Sequence, residues 1–406
     1  MSGEICITRQ PIINNKKELF AYEFLFKGNL EYNMNTKFLI DNIMNNPGLE
    51  KMKGKTQAFF KCDYDFLLSE ASGKLNPEMF VMEILPTILV DNKAVEAVKE
   101  LHEKGFKIAL DDFDLNKENS ALISPIIPCL SFCKLEYQKF KESEIYSKLV
   151  EIFHKYKIQV ISEGLETMSD FKHSNQVGSD LHQGFFFAKS ETKTTIKMKI
   201  DTMGALHVLN RISGNYLDQD LGVLEQEFKK YPDLTVNLLK YLNSAHFGMR
   251  TEIKNIKHAL TMLGISKLKR WLLILAYDTN KEISLDRSPL LINAMMRASF
   301  FGGIAKRLKW STDRAEKAYL MGLISHLDAL YETSFENILE QISLDPEISK
   351  ALLDGEGTMG LLLNIISVIE HGDMESATDA INSLNLTQKD VNECLMDAYT
   401  SSLSIV

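Results

Sequence analysis

The first half of the chain places ionisable and amide side chains inside or directly after short apolar runs. They are Glu23 after LFAY, Glu83 in FVMEIL, Asp111 and Asp112 after KIAL, Lys134 after SFC, Glu163 after QVIS and Gln183 after DLH. Asp, Glu and Lys are rarely buried unless they are paired or bind a metal. The residue types therefore indicate a cluster of carboxylates that is held by a counter-charge or by a cation.

The spacing of these residues indicates the elements that position them. Starting from Glu83, the successive intervals to Asp111, Lys134, Glu163 and Gln183 are 28, 23, 29 and 20 residues. One βα unit of a (β/α)₈ barrel uses roughly 25–30 residues. Each polar group would then end one strand, and the groups would meet at the carboxyl end of the barrel. One carboxylate at a strand end is usually a helix cap or a turn residue, but that explanation does not cover the whole set.

The hydrophobic pattern supports alternating strands and helices. Apolar runs that predict strands recur at 58–60, 80–85, 107–113, 131–136, 159–166 and 181–188. Between two of them, 91–105 has Val95, Val98 and Leu101 at helical spacing, and Gly105 suits a helix C-terminus. Strands alternating with helices predict a parallel sheet.

Composition excludes several classes of protein. The net charge is −9 and the hydrophobic fraction is 45%, so bulk nucleic-acid binding and wholesale disorder are both disfavoured. No run of about 18 apolar residues predicts a membrane span. Five scattered cysteines indicate reduced thiols in a cytoplasmic protein, and Cys129 and Cys133 are expected to pack rather than bind zinc.

The second half has a different pattern. A polar segment at 189–201 predicts a boundary, which gives a barrel over 1–190 and an all-helical domain over 191–406. In 234–243, Leu234, Leu238, Leu239 and Leu242 share one helical face. The fold class predicted is therefore α/β followed by all-α.

Residues 1–190 resemble an EAL domain, a (β/α)₈ phosphodiesterase that linearises cyclic di-GMP with two Mg²⁺ or Mn²⁺ ions. The motifs that carry this resemblance are RQPI (9–12), YEFLFKG (22–28), MEILPT (82–87), LDDFD (110–114), CKLE (133–136), SEGLET (162–167) and HQGFFFAK (182–189). Each motif alone is weak, whereas the ordered set is specific.

The resemblance implies roles for individual residues. Glu23, Glu83 and Asp111 resemble the ligands of one metal, and Asp111, Asp112 and Glu163 those of the second. Lys134, Glu163 and Gln183 resemble the catalytic residues, with Lys134 orienting water and neutralising phosphate. Gln10, Lys27 and Gln183 resemble residues that hold the nucleotide.

Four departures from the family pattern predict weak or absent catalysis. Lys61 stands where the family has an asparagine metal ligand, and an ammonium repels a cation. Lys61 could instead pair with Glu23 or Glu83, and Asp63 is the alternative ligand if the register differs. Pro86 replaces a glutamate, and Asp114 replaces a glycine. Lys27 replaces an arginine that grips phosphate.

The second half resembles an HDOD domain, a helical relative of HD-type metallohydrolases that usually lacks their metal site. The resemblance rests on YPDLTVNLLKYLNSAHFG (231–248) and IKNIKHALTMLGISKLKRWLL (253–273). Ser325 and His326 take the place of the His-Asp pair, which predicts a non-catalytic domain. His246 and His258 are expected to be surface or hydrogen-bonded histidines rather than ligands.

Three functions remain open at the level of sequence. The first is a cytoplasmic bacterial signalling protein whose barrel is partly degenerate and whose HDOD domain binds an unidentified protein partner. The second is an active cyclic di-GMP phosphodiesterase, and the third is a scaffold that binds no nucleotide. The family's barrels often dimerise, so the resemblance also suggests a homodimer.

Overall fold

The computed structural model describes most of the chain in twelve stretches. They are residues 6–27, 56–114, 117–141, 144–184, 200–212, 221–242, 255–277, 288–331, 333–340, 342, 344–371 and 373–403. The chain groups into two compact units. The barrel unit comprises Met1–Lys189, Asp286–Pro289 and Ile365–Val406, and the helical unit comprises Ser190–Leu285 and Leu290–Asn364.

The first unit is built around a closed barrel in which neighbouring strands follow chain order. Its strands are β1 (Cys6–Asn14), β2 (Leu19–Lys27), β3 (Gln57–Cys62), β4 (Phe80–Ile84), β5 (Lys107–Leu110), β6 (Leu130–Glu136), β7 (Gln159–Leu165) and β8 (Leu181–Gly184). The predicted α/β barrel is therefore confirmed.

One strand departs from the expected parallel order. Strands β2 to β8 pair in parallel, whereas β1 pairs antiparallel with both β2 and β8. A tight turn reverses the chain between Asn14 and Leu19, with Lys17 at φ 64°. Two strands joined by so short a connection must run antiparallel, because a parallel pair needs a crossover of a dozen or more residues.

Helices follow the strands on the outside of the barrel. They are α1 (Tyr64–Leu67), α2 (Asn92–Glu103), α3 (Lys117–Ile123), α4 (Tyr137–Phe140), α5 (Ile145–Lys155) and α6 (Met168–Gln176). Asp91 caps the start of α2 by accepting a hydrogen bond from the Lys93 amide, and Gly105 follows its end at φ 91°. The predicted helix and its glycine terminus are thus confirmed, since that left-handed conformation suits glycine.

The rest of the described chain is helical. The helices are α7 (Ile200–Ile212), α8 (Leu221–Lys229), α9 (Pro232–Leu242), α10 (Ile256–Tyr277), α11 (Pro289–Arg307), α12 (Thr312–Ile324), α13 (Leu327–Tyr331), α14 (Phe335–Leu339), α15 (Pro346–Asp354), α16 (Gly357–Glu370), α17 (Met374–Ser383) and α18 (Gln388–Leu403). In α9, Leu234, Leu238 and Leu242 are buried, which confirms most of the predicted apolar face. Gly264 breaks α10 at φ 72°.

The C-terminal helices group with the barrel rather than with the preceding helices. Helix α18 packs against β1, and the chain joins the barrel unit at Ile365, within α16. The predicted helical domain covers all of 191–406, and nothing in the local sequence pattern distinguishes these last helices from the others. A β1 strand that turns directly into β2 has no crossover helix of its own, so α18 supplies the outer cover that β1 needs. The boundary near residue 190 remains a prediction.

Among the helices that the structure describes, none alone is long and apolar enough to cross a membrane, whereas α15 and α16 pass that test as a bent pair.

Candidate functional site

The strand register places the polar residues in one layer inside the barrel. Eight buried residues, one from each strand, form the apolar layer below it: Ile12, Ala21, Phe59, Val81, Ala109, Phe132, Ile161 and Leu181. Alternate residues of a strand share a face, so the next inward layer lies two residues further toward the mouth. That layer is Gln10, Glu23, Lys61, Glu83, Asp111, Lys134, Glu163 and Gln183. It contains four acids, two lysines and two amides.

Lys134 lies among the four acids of this layer. Its Nζ is 3.1 Å from Glu23 Oε2, 3.1 Å from Glu83 Oε1, 3.3 Å from Asp111 Oδ1 and 3.2 Å from Glu163 Oε2. Burial disfavours the charged amine, but these carboxylates outweigh burial and raise the pKa of Lys134 well above its usual value. The lysine is therefore a charged ammonium that holds the acids together.

The acids differ in how well that single ammonium satisfies them. Glu83 is fully buried, and no described donor makes a well-aligned hydrogen bond to either of its oxygens. Burial, followed by the nearby charge of Glu23, raises the pKa of Glu83 well above its usual value. Burial likewise raises the pKa of Glu163 to about 7. Buried carboxylate oxygens without a hydrogen-bond donor, such as those of Glu83, are hard ligands that fit a divalent cation of the Mg²⁺ or Mn²⁺ type.

The second lysine engages the acid at the centre of this set. Lys61 Nζ lies 2.8 Å from Asp111 Oδ2, whereas the predicted partner was Glu23 or Glu83. Strand register explains the contact. Lys61 on β3 pairs with Glu83 on β4, and on the other side of β4 lies β5, which ends directly before Asp111. Although burial opposes ionisation, Lys134 and Lys61 lower the pKa of Asp111. Asp111 is thus an anion shared by two ammonium groups.

Asp63, the alternative to Lys61, has a structural role in the described residues. Its Oδ1 accepts a hydrogen bond from the Phe66 amide at 2.8 Å, and this bond caps the start of α1. The residue that pairs with Glu83 across β3 and β4 is Lys61, not Asp63.

Asp112 reaches the site through an unusual backbone conformation. Successive residues of a strand point to opposite faces, so Asp111 and Asp112 would ordinarily diverge. Asp112 has φ 49°, a left-handed conformation that aspartate tolerates better than most residues. Oxygen atoms of Asp111, Asp112 and Glu163 consequently lie within 4.8 Å of one another. Backbone strain of this kind is common where a site requires a particular geometry.

The two amides of the layer connect to each other and to an acid. Gln183 Nε2 donates to Gln10 Oε1 at 3.0 Å and also donates to Glu23 Oε2. Lys27 is the last residue of β2, and its side chain lies outside the described set. Pro86 opens a 3₁₀ turn after β4, and Asp114 is exposed beyond β5.

The helical unit contains a second buried polar group around Ser325 and His326, the residues that the sequence predicts in place of a His-Asp pair. His326 Nε2 lies 3.0 Å from Asn293 Nδ2, and the buried Arg297 donates from Nη1 to Ser325 Oγ at 3.1 Å. Burial and the adjacent guanidinium lower the pKa of His326 well below its usual value. A guanidinium at this position disfavours a bound cation. His258 is exposed, and His246 lies outside the described residues.

One group that touches this layer is not predicted from the sequence. The Glu370 main-chain carbonyl accepts a hydrogen bond from Gln10 Nε2 at 3.4 Å. A main-chain acceptor that comes from 360 residues away leaves no signal in residue types or spacing.

Two family models match the chain, an HDOD domain over residues 207–345 and an EAL domain over residues 64–190. The chain is 25% identical over 413 residues to a Vibrio cholerae protein, "Cyclic di-GMP phosphodiesterase CdgJ", covering 98% of this chain and 92% of that protein. It is 24% identical over 403 residues to "Uncharacterized protein YuxH" of Bacillus subtilis, covering 97% of both.

Solved structures also resemble part of the chain. A calcium and cyclic di-GMP complex of Klebsiella pneumoniae BlrP1 matches with a TM-score of 0.40 and 20% identity, over 46% of this chain and 55% of that chain. The FimX EAL domain of Pseudomonas aeruginosa bound to cyclic di-GMP matches with a TM-score of 0.37 and 14% identity, over 46% of this chain and 90% of that chain. The present chain thus spans about half the length of BlrP1.

The two domain matches and the similarity along nearly the whole of CdgJ agree with the motifs read from the sequence. The chain is an EAL–HDOD signalling protein related to cyclic di-GMP phosphodiesterases.

Proposed function

We propose that the mouth of the barrel binds cyclic di-GMP and hydrolyses it weakly or not at all. The observation that carries this proposal is the ion pair between Lys61 and Asp111. Asp111 is the acid that both candidate metal sites share. An ammonium that already neutralises it competes with any cation for the same oxygens.

The carboxylates otherwise suit two divalent ions. Glu23, Glu83 and Asp111 would hold one Mg²⁺ or Mn²⁺, and Asp111, Asp112 and Glu163 would hold the other. When bound, such ions neutralise phosphate charge and make water a better nucleophile. The convergence of Asp111, Asp112 and Glu163 within 4.8 Å supports this assignment.

The residues of the chain itself would bind and orient the ligand. Gln183 and Gln10 present amide groups at the mouth, and Lys27 is the last residue of β2. Lys134 would stay charged throughout, because the four acids around it raise its pKa against the effect of burial. Its role is therefore to neutralise and position the acids and the phosphate, not to exchange protons.

The helical domain would act as a non-catalytic module that binds a protein partner. The buried Arg297 bonded to Ser325 supports this assignment, since it puts a positive charge where an HD hydrolase would hold metal. We also expect the barrel to work in the cytoplasm without a membrane span or nucleic-acid partner, as a homodimer.

The test is isothermal titration of the full chain with cyclic di-GMP, with and without Mg²⁺ or Mn²⁺, alongside chromatography of the products. We expect binding, with little linear dinucleotide formed. An absence of binding under every condition would contradict the proposal and favour a scaffold that holds no nucleotide.

An active phosphodiesterase is the second candidate. It is favoured by the presence of all four acids together with Lys134 and Gln183 in one layer of the barrel. Rapid, metal-dependent formation of the linear dinucleotide by the unmodified chain would establish it in place of the degenerate function.

A further inference from the structure

A continuous chain of hydrogen bonds runs from the end of helix α16 into the polar layer of the barrel. Gln10 Nε2 donates to the Glu370 carbonyl at 3.4 Å, and Gln183 Nε2 donates to Gln10 Oε1 at 3.0 Å. The same Gln183 nitrogen donates to Glu23 Oε2. One main-chain group of the C-terminal segment is therefore linked to a candidate metal ligand through two side-chain amides.

The direction of this chain follows from its two ends. A main-chain carbonyl and a carboxylate can only accept hydrogen bonds. The carbonyl of Glu370 thus requires the NH₂ of Gln10 on its side, which turns Oε1 of Gln10 toward Gln183. Gln183 can then use both hydrogens of its amide, one toward Gln10 and one toward Glu23. If the Gln10 amide flipped, two NH₂ groups would face each other.

Glu370 is suited to this role by its place in the helix. It is the last residue of α16, and carbonyls in the last turn of an α-helix have no amide donor within the helix. The helix begins among residues grouped with the helical unit and ends among residues grouped with the barrel, with the change at Ile365. The acceptor of Gln10 thus belongs to a helix within which the chain passes from the helical unit to the barrel unit.

The C-terminal segment is also fixed to the neighbouring residue of β1. The Arg9 guanidinium lies 4.2 Å from the Tyr22 ring centroid and 4.7 Å from that of Tyr399, and its Nη2 donates to Ser402 Oγ at 3.1 Å. Arg9 is buried, so these contacts are shielded from solvent. Arg9 is thus held by contacts with α18, and Gln10 by its hydrogen bond to the end of α16.

We infer that the Glu370 carbonyl is a positioning group for the ligand site at the barrel mouth, and that the C-terminal end of α16 sets how well that site binds. With the carbonyl in place, Gln10 and Gln183 present fixed donors and acceptors to a ligand. When the carbonyl turns away, the Gln10 amide loses its orientation and Gln183 loses one acceptor. The inference rests on the proposed function for its ligand, cyclic di-GMP.

The test perturbs the carbonyl without touching the barrel. His371 follows Glu370 and is exposed. A proline there disfavours the helical conformation of the preceding residue and removes the hydrogen bond from the His371 amide to the Ser367 carbonyl, so the Glu370 carbonyl rotates. His371→Ala is the matched control, since it removes the same side chain and leaves the backbone free to stay helical.

Two readouts are made on the full chain labelled with ¹⁵N-glutamine. We expect His371→Pro to shift the side-chain amide resonances of Gln10 and Gln183, which Gln10→Met and Gln183→Met serve to assign. We also expect its affinity for cyclic di-GMP to fall about 3- to 10-fold, the worth of one ordinary hydrogen bond. His371→Ala should match the unmodified chain in both.

Unchanged resonances in a folded His371→Pro protein would overturn the inference, as would shifted resonances with unchanged affinity. If that variant does not fold, Glu370→Gly against Glu370→Ala gives the same comparison through a more flexible backbone. If the unmodified chain binds no cyclic di-GMP, the proposed function fails, and the amide resonances alone decide whether Glu370 orients Gln10.

Discussion

Replacing Lys61 by asparagine tests whether this lysine keeps divalent cations out of the barrel mouth. Asparagine removes the ammonium that pairs with Asp111 and provides a neutral oxygen ligand. We expect tighter Mn²⁺ binding and faster formation of the linear dinucleotide than in the unmodified chain.

The size of the effect follows from the ion pair. Lys61 Nζ and Asp111 Oδ2 are 2.8 Å apart, and the Lys61 side chain is 39% exposed. Because the lysine is partly in solvent, the dielectric constant of water is the appropriate limit, and Coulomb's law then gives about 1.5 kcal/mol for the pair. A cation that no longer has to displace this pair should bind roughly tenfold more tightly.

The assay is Mn²⁺ titration by calorimetry or electron paramagnetic resonance, with product chromatography on the same samples. Lys61→Met separates the loss of charge from the gain of a ligand and should show the smaller increase. Lys107→Asn makes the same change at an exposed lysine at the start of β5 and should leave Mn²⁺ binding unaltered. Mn²⁺ affinity and turnover within twofold of the unmodified chain in Lys61→Asn would refute the reasoning.

Two further predictions concern buried ionisable side chains in the barrel. Lys134→Met should lower the free energy of unfolding at pH 8 by about 3–5 kcal/mol, because it leaves buried acids without their counter-charge. The loss should be smaller at pH 5.5, where Glu163, whose pKa is raised to about 7, takes up a proton. Urea unfolding measures this, with the exposed Lys148→Met as a control that should change little. His182 is buried, and burial lowers its pKa from 6.5 to about 4, so its contribution is complete above pH 6.5 and is lost as pH falls toward 4. The loss amounts to about 3 kcal/mol. The unfolding free energy of His182→Gln should therefore fall less steeply between pH 7.5 and 4.5 than that of the unmodified chain. Equal slopes of unfolding free energy against pH for the two proteins would contradict the assignment.

The Lys61 and Lys134 predictions distinguish two uses of lysine in one layer. Lys134 has four acids around its Nζ and a side chain that is 1% exposed, so its loss should appear mainly in stability. Lys61 contacts Asp111 from a partly exposed position, so its loss should appear mainly in cation binding. The same substitution chemistry thus gives different outcomes because the two ammonium groups differ in burial.

The sequence pattern predicted the barrel, the helical second half and six residues of the polar layer, whereas Gln10 and Lys61 were named only through the family resemblance. This was possible because a barrel strand buries alternate side chains, so that a charge within an apolar run marks the inward face of the strand end. The regular intervals from Glu83 to Gln183 then assign one such residue to each successive strand. The domain boundary and the functional roles of these residues stay predictions.

Tertiary structure decided the features that depend on closing the barrel. The pairing of Lys61 with Asp111 follows from the register of β3, β4 and β5, and the central place of Lys134 follows from four strands meeting around it. The antiparallel β1, the return of α18 to cover it and the contact between Glu370 and Gln10 are likewise long-range results. Residue type and spacing specify which side chains face inward. The contact partner of each side chain depends on distances across the closed sheet, as for Lys61 and Asp111, or on a main-chain atom that is the same in every residue, as for Gln10 and Glu370.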